Sequence, residues 1–267
     1  MFAAAHAGRC AVSVRFSREG RIAIITLDRP EKLNAMTPEM YADITRRLQE
    51  VDADDGIWVA IVTGAGTRAF SAGADLTTVH RPQAGPGVSW QPLRQERFDL
   101  GLQVSKPLIA AIEGYCLAGG LELALCCDIR IAGEGARFGC PEVRWNVLHG
   151  YGALALPRLI GLSRALYLLL TGEFVDAQEA LRLGLVHEVV PQGEALERAR
   201  ALAERICRNA PLAVRMTKEL ALRSFEVPLS DGLRLYSEFR RLLQMSEDQA
   251  EGTRAFQERR EPRFQGR

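Results

Sequence analysis

Two glutamates and two glycine-rich turns are the residues of this 267-residue chain whose types and placement could do chemistry together. Glu122 lies inside the apolar run Leu121-Glu122-Leu123-Ala124-Leu125. A carboxylate held among such neighbours loses hydration, and its pKa rises unless a partner compensates. That tuning suits a general acid or base working near neutral pH. The same run also fits an acid on the solvent face of a helix, or one half of a buried ion pair. Glu142 follows Pro141 in Phe138-Gly139-Cys140-Pro141-Glu142. Taken alone it reads equally well as an acid in the first turn of a helix, where the dipole favours it.

The first turn, Ser71-Ala72-Gly73-Ala74-Asp75, comes after the apolar run Trp58–Thr63. The second, Ala118-Gly119-Gly120, comes after Pro107–Ile112. Small residues let a backbone approach a ligand closely, and free N–H groups at a helix start favour negative charge. Two such turns side by side could aim two donors at one oxygen, an arrangement worth about 3–4 kcal/mol per donor. Each turn by itself is explained as well by tight packing. Neither is a GxGxxG or a P-loop, and no GxSxG or HExxH occurs. His6, His80, His149 and His187 have no triad or metal spacing. His187 abuts a strand and reads as structural, whereas His149, flanked by Gly150 and Gly152, could line a pocket.

The elements that must position these residues alternate. Arg21–Leu27 and Trp58–Thr63 read as strands, and Thr37-Pro38-Glu39 starts a helix whose apolar positions Met40, Ile44 and Leu48 run to about Val51. Ala69–Leu76 reads as a turn into a short helix, 80–91 as a mobile loop and 92–104 as a helix. Pro107–Ile112 is a third strand, Gly114–Asp128 a glycine-led apolar helix and Ile129–Ala132 a short strand. Helices are expected at about 150–160, 163–171 and 176–183, then a strand at Val186–Val190. Amphipathic helices over about 192–258 break at Pro211, Pro228 and Ser246. The alternation predicts α/β layers.

Composition narrows the function classes. The formal net charge of +1 gives no global field for nucleic acid or an anionic membrane. Lys32, Lys106 and Lys218 are the only lysines, so arginine supplies nearly all the basic charge. Six cysteines form no CxxC pair and read as reduced thiols of a cytoplasmic protein, with no metal site. No apolar run is long enough to span a membrane. The acid-free N-terminus leaves about ten residues before the first strand pattern, too few for a presequence, and is expected to be a short flexible extension.

Seven blocks together resemble the crotonase, or enoyl-CoA hydratase/isomerase, family: Leu27–Met36, Ala69–Leu76, Lys106–Gly114, Leu117–Asp128, Phe138–Glu142, Gly172–Gly184 and Phe256–Phe264. The resemblance implies an α/β spiral of ββα units carrying the acyl-CoA site over 11–195, after an N-terminal 1–10. A helical segment over 196–267 would build homotrimers or hexamers. It implies an oxyanion hole from the N–H groups of Ala74 and Gly119, and a hydratase pair of carboxyl groups at Glu122 and Glu142. Lys32, Leu33, Ala35, Ala72, Asp75, Leu76 and Gly150 would border the substrate, with Arg68 nearby and Arg259 and Arg260 within reach of coenzyme A phosphates. No cofactor is implied, since coenzyme A is part of the substrate. The implied activity is addition of water to a 2-enoyl-CoA. The alternatives are isomerisation or other enolate chemistry, or acyl-CoA binding without catalysis. The chain departs from the family pattern at Ala118, where many members have glycine, and at His149, where many hydratases have proline. Trp145, His149 and Tyr151 fall in the loop expected beside the reacting end of the acyl chain.

Overall fold

The computed structural model describes residues 13–78 and 97–267. The expected N-terminal extension over 1–10 and the expected loop over 80–91 lie outside these residues.

Ten strands run in chain order among the described residues: β1 (Val14–Glu19), β2 (Ile22–Leu27), β3 (Val59–Gly64), β4 (Ala69–Ser71), β5 (Leu108–Ile112), β6 (Tyr115–Leu117), β7 (Ile129–Gly133), β8 (Arg137–Gly139), β9 (Phe174–Asp176) and β10 (Glu188–Val190). They form a larger sheet in the order β1-β2-β3-β5-β7-β10 and a smaller one in the order β4-β6-β8-β9. From β2 to β10 the larger sheet is parallel, and only β1 is antiparallel to its neighbour.

A parallel sheet is buried on both faces, which explains the unbroken apolar runs. Side chains alternate across it. Ala23, Ile25, Leu27, Ala60, Val62, Ala110 and Ile112 face one core. Ile22, Ile24, Val59, Ile61, Ile109 and Ala111 face the other. Helix α1 (Pro38–Ala53) covers the first with Met40, Ile44, Leu48 and Val51. It starts as expected, with Thr37 Oγ1 accepting from Met40 N. Helix α6 (Ala195–Cys207) covers the second with Ala195, Ala199 and Ala203, whose small side chains let it lie close.

The remaining helices are α2 (Gly119–Leu125), α3 (Gly150–Ile160), α4 (Leu162–Thr171), α5 (Ala177–Leu183), α7 (Pro211–Arg223), α8 (Leu229–Gln244) and α9 (Glu247–Glu258). The C-terminal breaks fall at Pro211, Pro228 and Ser246, as expected.

Four local expectations are corrected. Residues 72–75 do not enter a helix, because their backbone pairs with another segment: Ala72 N donates to Leu33 O and Asp75 N to Met36 O. Of the helix expected over 92–104, the described part keeps a single 3-10 turn, Phe98–Leu100, stopped by Gly101 at φ 89°. Tyr115–Leu117, expected to be helical, is strand β6 because β4 and β8 flank it. Between the helices expected at 163–171 and 176–183 lies an unforeseen strand, β9, which pairs antiparallel with β8.

Candidate active site

The larger and smaller sheets are threaded by one repeated move. Strand β3 turns into β4, β5 into β6 and β7 into β8, and β4, β6 and β8 lie side by side and parallel. Their carboxyl ends therefore share one edge. Past β4 come Ala72–Asp75, past β6 come Ala118–Glu122, and past β8 come Cys140–Glu142. Segments separated by up to some seventy residues in the chain meet at this edge because three short strands lie parallel and adjacent.

The two glycine-rich turns touch. A side chain on Gly73, at φ 95°, would stand 3.1 Å from the Gly119 amide nitrogen. Ser71 braces the first turn, donating to Asn34 O and accepting from Gly73 N. Met36 pairs with Ala74 in a parallel bridge, taking Gly73 O and Asp75 N as its partners. In that geometry the N–H of Ala74 points away from Met36. Gly119 is the first residue of α2, where amides have no acceptor within the helix. Ala118 precedes it at φ 53° and ψ −130°, a conformation that favours glycine.

Glu122 sits one turn into α2 and is buried. Its Oε1 accepts a long 3.4 Å bond from Gly152 N at the start of α3, and a side chain on Gly150 would stand 3.2 Å from the same oxygen. Burial is the main reason its carboxyl is held above the ordinary carboxylate range, and the charges of Glu142 and Asp99 add to it. His149 and the Gly152 N–H act in the opposite direction.

Glu142 lies in the 3-10 turn Pro141–Trp145, so the proline opens a helical turn of the tighter kind. Its Oε1 is 2.5 Å from His149 Nδ1. The imidazole lies against Gly152, where any side chain would collide with Nε2. Glu122, Gly152, His149 and Glu142 thus form one connected cluster.

The other expected positions are placed as follows. Leu33, Ala35 and Ala72 are half-buried where their segments pair, and Lys32 is exposed in the turn before them. The Asp75 carboxylate is taken up by Thr77 and Arg29, which hold it below its usual range, and Leu76 is exposed beside it. The Arg68 carbonyl holds Tyr115 N. Arg260 is ion-paired to Glu251 and Glu258. Trp145 is exposed, whereas Tyr151 packs on the core, where burial pushes its phenol up to about 12. His187 is structural, its Nδ1 accepting from Arg130 N. Cys116, Cys126, Cys127, Cys140 and Cys207 are free thiols.

The family model described as enoyl-CoA hydratase/isomerase matches residues 17–267. The chain belongs to that family. Its relatives include the (E)-benzylidenesuccinyl-CoA hydratase of Thauera aromatica, 42% identical over 92% of this chain and 96% of that protein. The short-chain-enoyl-CoA hydratase of Clostridium acetobutylicum is 36% identical over 93% and 95%. The crystal structure of enoyl-CoA hydratase from Mycobacterium tuberculosis H37Rv superposes with a TM-score of 0.86 at 38% identity, over 96% of this chain and 99% of that one. This crotonase fold accounts for the spiral of paired strands described above.

Tyr41 escaped the sequence reading. Its hydroxyl fills the space a side chain on Gly119 would need, and its ring stacks on Phe98 with centroids 5.3 Å apart. Burial, then the charge of Glu122, raises its phenol above the ordinary range. The signal was the spacing of Tyr41, Ile44 and Leu48 along one face of α1.

Proposed function

We propose that the protein adds water reversibly across the C2–C3 double bond of a 2-enoyl-CoA, using Glu122 and Glu142 opposite the amides of Ala74 and Gly119. The observation that carries this reading is the joining of two shielded carboxyl groups into one cluster at the edge where the two glycine-rich turns touch.

The amides of Ala74 and Gly119 take the thioester carbonyl oxygen, so negative charge can collect there as the enolate forms. Water attacks C3, and one carboxylate accepts its proton while the oxygen bonds to carbon. The π electrons move to C2 and the carbonyl, and C2 then takes a proton from the other carboxyl group. The sum is addition of H and OH, so no redox equivalent is consumed. Acid–base help of this kind contributes about a hundredfold or more. We take residues 144–152, which join Glu142 to the first turn of α3, as those that choose the acyl group.

The assembly we propose is a homotrimer, or two trimers stacked. Helix α8 buries no residue within the chain and leaves Leu229, Leu233 and Tyr236 exposed, an apolar face that a second copy would cover. No described helix is long and apolar enough to cross a membrane, and we place the enzyme in the cytoplasm.

The test is a spectrophotometric screen of 2-enoyl-CoA substrates, with (E)-2-butenoyl-CoA as reference, run on wild type, Glu122→Gln and Glu142→Gln. Each variant is expected to lose at least about a hundredfold in hydration rate. Near-full activity in either would overturn the two-carboxylate mechanism, and double-bond migration without hydration would point to isomerisation.

A further inference from the structure

We propose that His149 is a positioning residue for Glu142: its Nδ1–H pins Oε1, which leaves Oε2 as the oxygen that exchanges a proton with water or C2. The inference rests on the hydratase reading and adds a third side chain to it.

The geometry is specific. The Nδ1 to Oε1 separation is 2.5 Å, and the side chains of His149 and Glu142 keep only 2% and 11% of their exposure. When Glu142 is ionised its oxygens only accept, so the bond requires the hydrogen on Nδ1. A carboxylate fixed through one oxygen cannot rotate freely. Glu142 Oε2 is left with no protein partner, shielded from bulk solvent. A buried carboxylate oxygen without a donor is unfavourable unless something polar meets it. For the water or carbon acid of the proposed reaction to do so, the side chains covering Oε2 must yield when substrate enters.

Two local features seat the ring, and a third reaches the other carboxyl group. His149 is the residue preceding α3, yet its side chain makes no cap bond there and turns to Glu142 instead. Gly152 supplies room, because any side chain would collide with Nε2. Gly152 also supplies the amide that meets Glu122. One helix start therefore orients both carboxyl groups, one through a backbone N–H and the other through an imidazole. Proline at position 149 lacks any side-chain donor and could not hold Glu142 in this way.

The titratable groups facing this pair are Glu122, the Cys140 thiol and the Tyr41 phenol, each of which feels the charge of Glu142. No arginine or lysine bonds to Glu142 among the described residues, so the imidazole is its one cationic or donor partner there.

The experiment compares His149→Leu with His149→Asn, because the Asn amide nitrogen is attached at the same distance from the backbone as Nδ1. With (E)-2-butenoyl-CoA, His149→Leu is expected to lose about tenfold or more in kcat, with KM changed by less than about threefold. His149→Asn should recover most of that loss. Wild-type kcat in His149→Leu, or an Asn variant no better than Leu, would overturn the proposal, since simple space-filling would then suffice. A second readout is independent of turnover. In protein labelled with 15N-histidine, the proton of His149 should reside on Nδ1, resonate downfield and shift in Glu142→Gln. A proton on Nε2 with bare Nδ1 would overturn the pinning. If no enoyl-CoA is hydrated by wild type while the Nδ1 signal behaves as expected, the hydratase reading fails and the pinning stands.

Discussion

A side chain built on Gly73 would stand 2.6 Å from the Cβ of Ala118, so the turn after β4 and the turn after β6 are in van der Waals contact through a residue that must be glycine. Gly73 is doubly constrained, by that contact and by its φ of 95°. Gly73→Ala is therefore expected to push the two turns apart and misalign the amides of Ala74 and Gly119. Hydration of (E)-2-butenoyl-CoA should fall by about a hundredfold, the loss typical of one misplaced oxyanion donor. Steady-state kinetics on the folded variant checks this, and a loss under threefold would show that the contact does not set the amides.

Ala118 holds a backbone conformation that suits glycine, at φ 53° and ψ −130°. Such strain costs about 1–3 kcal/mol, and glycine returns about 0.5–1 kcal/mol of that through its freer unfolded chain. Ala118→Gly should stabilise the protein by about 1 kcal/mol in chemical denaturation while the rate stays near wild type, because Gly119 keeps its amide. A less stable variant would mean that the methyl contact with Gly73 matters more than the strain.

The Glu122 carboxyl is raised above its ordinary value of 4.5, chiefly by burial. Over a window that begins at 4.5, the folded protein holds a proton that the unfolded chain has lost. Stability contributed by this group is present below that window and falls as pH rises through it. Glu122→Gln removes the titration. Its melting temperature at pH 7 should equal or exceed that of wild type, and the difference should narrow as pH falls toward 4. Thermal melts at the two pH values decide the matter, and a variant that is weaker at pH 7 yet matched at pH 4 would reverse the sign.

Lys218 on α7 reaches Asp128 at 2.7 Å and the Lys106 carbonyl at 2.9 Å, while Asp128 also caps Leu108 N at the start of β5. The pair is mostly shielded, so Lys218→Met leaves a carboxylate short of its charged partner. The expected loss is about 1–3 kcal/mol in unfolding free energy, with kcat of the folded enzyme unchanged. An unaltered denaturation midpoint would show that α7 is held by packing alone.

Much of this protein is set by residue order. The apolar runs of β2, β3 and β5 mark themselves as buried on both faces, and Thr37-Pro38 starts α1, because strand periodicity and helix capping are local properties. The family blocks also put Glu122 and Glu142 in register with the two turns. Tertiary structure decided what the neighbours of those residues are. Residues 72–75 extend along Leu33–Met36 instead of coiling, since hydrogen bonds to a distant segment outweigh local propensity. Tyr41 reaches Gly119 from a distant helix, and His149 turns back to Glu142 seven residues earlier rather than capping α3. Spacing along a chain can place two carboxyl groups on suitable elements. Which donor faces which oxygen depends on side-chain packing between elements, and that is resolved only when the spiral closes.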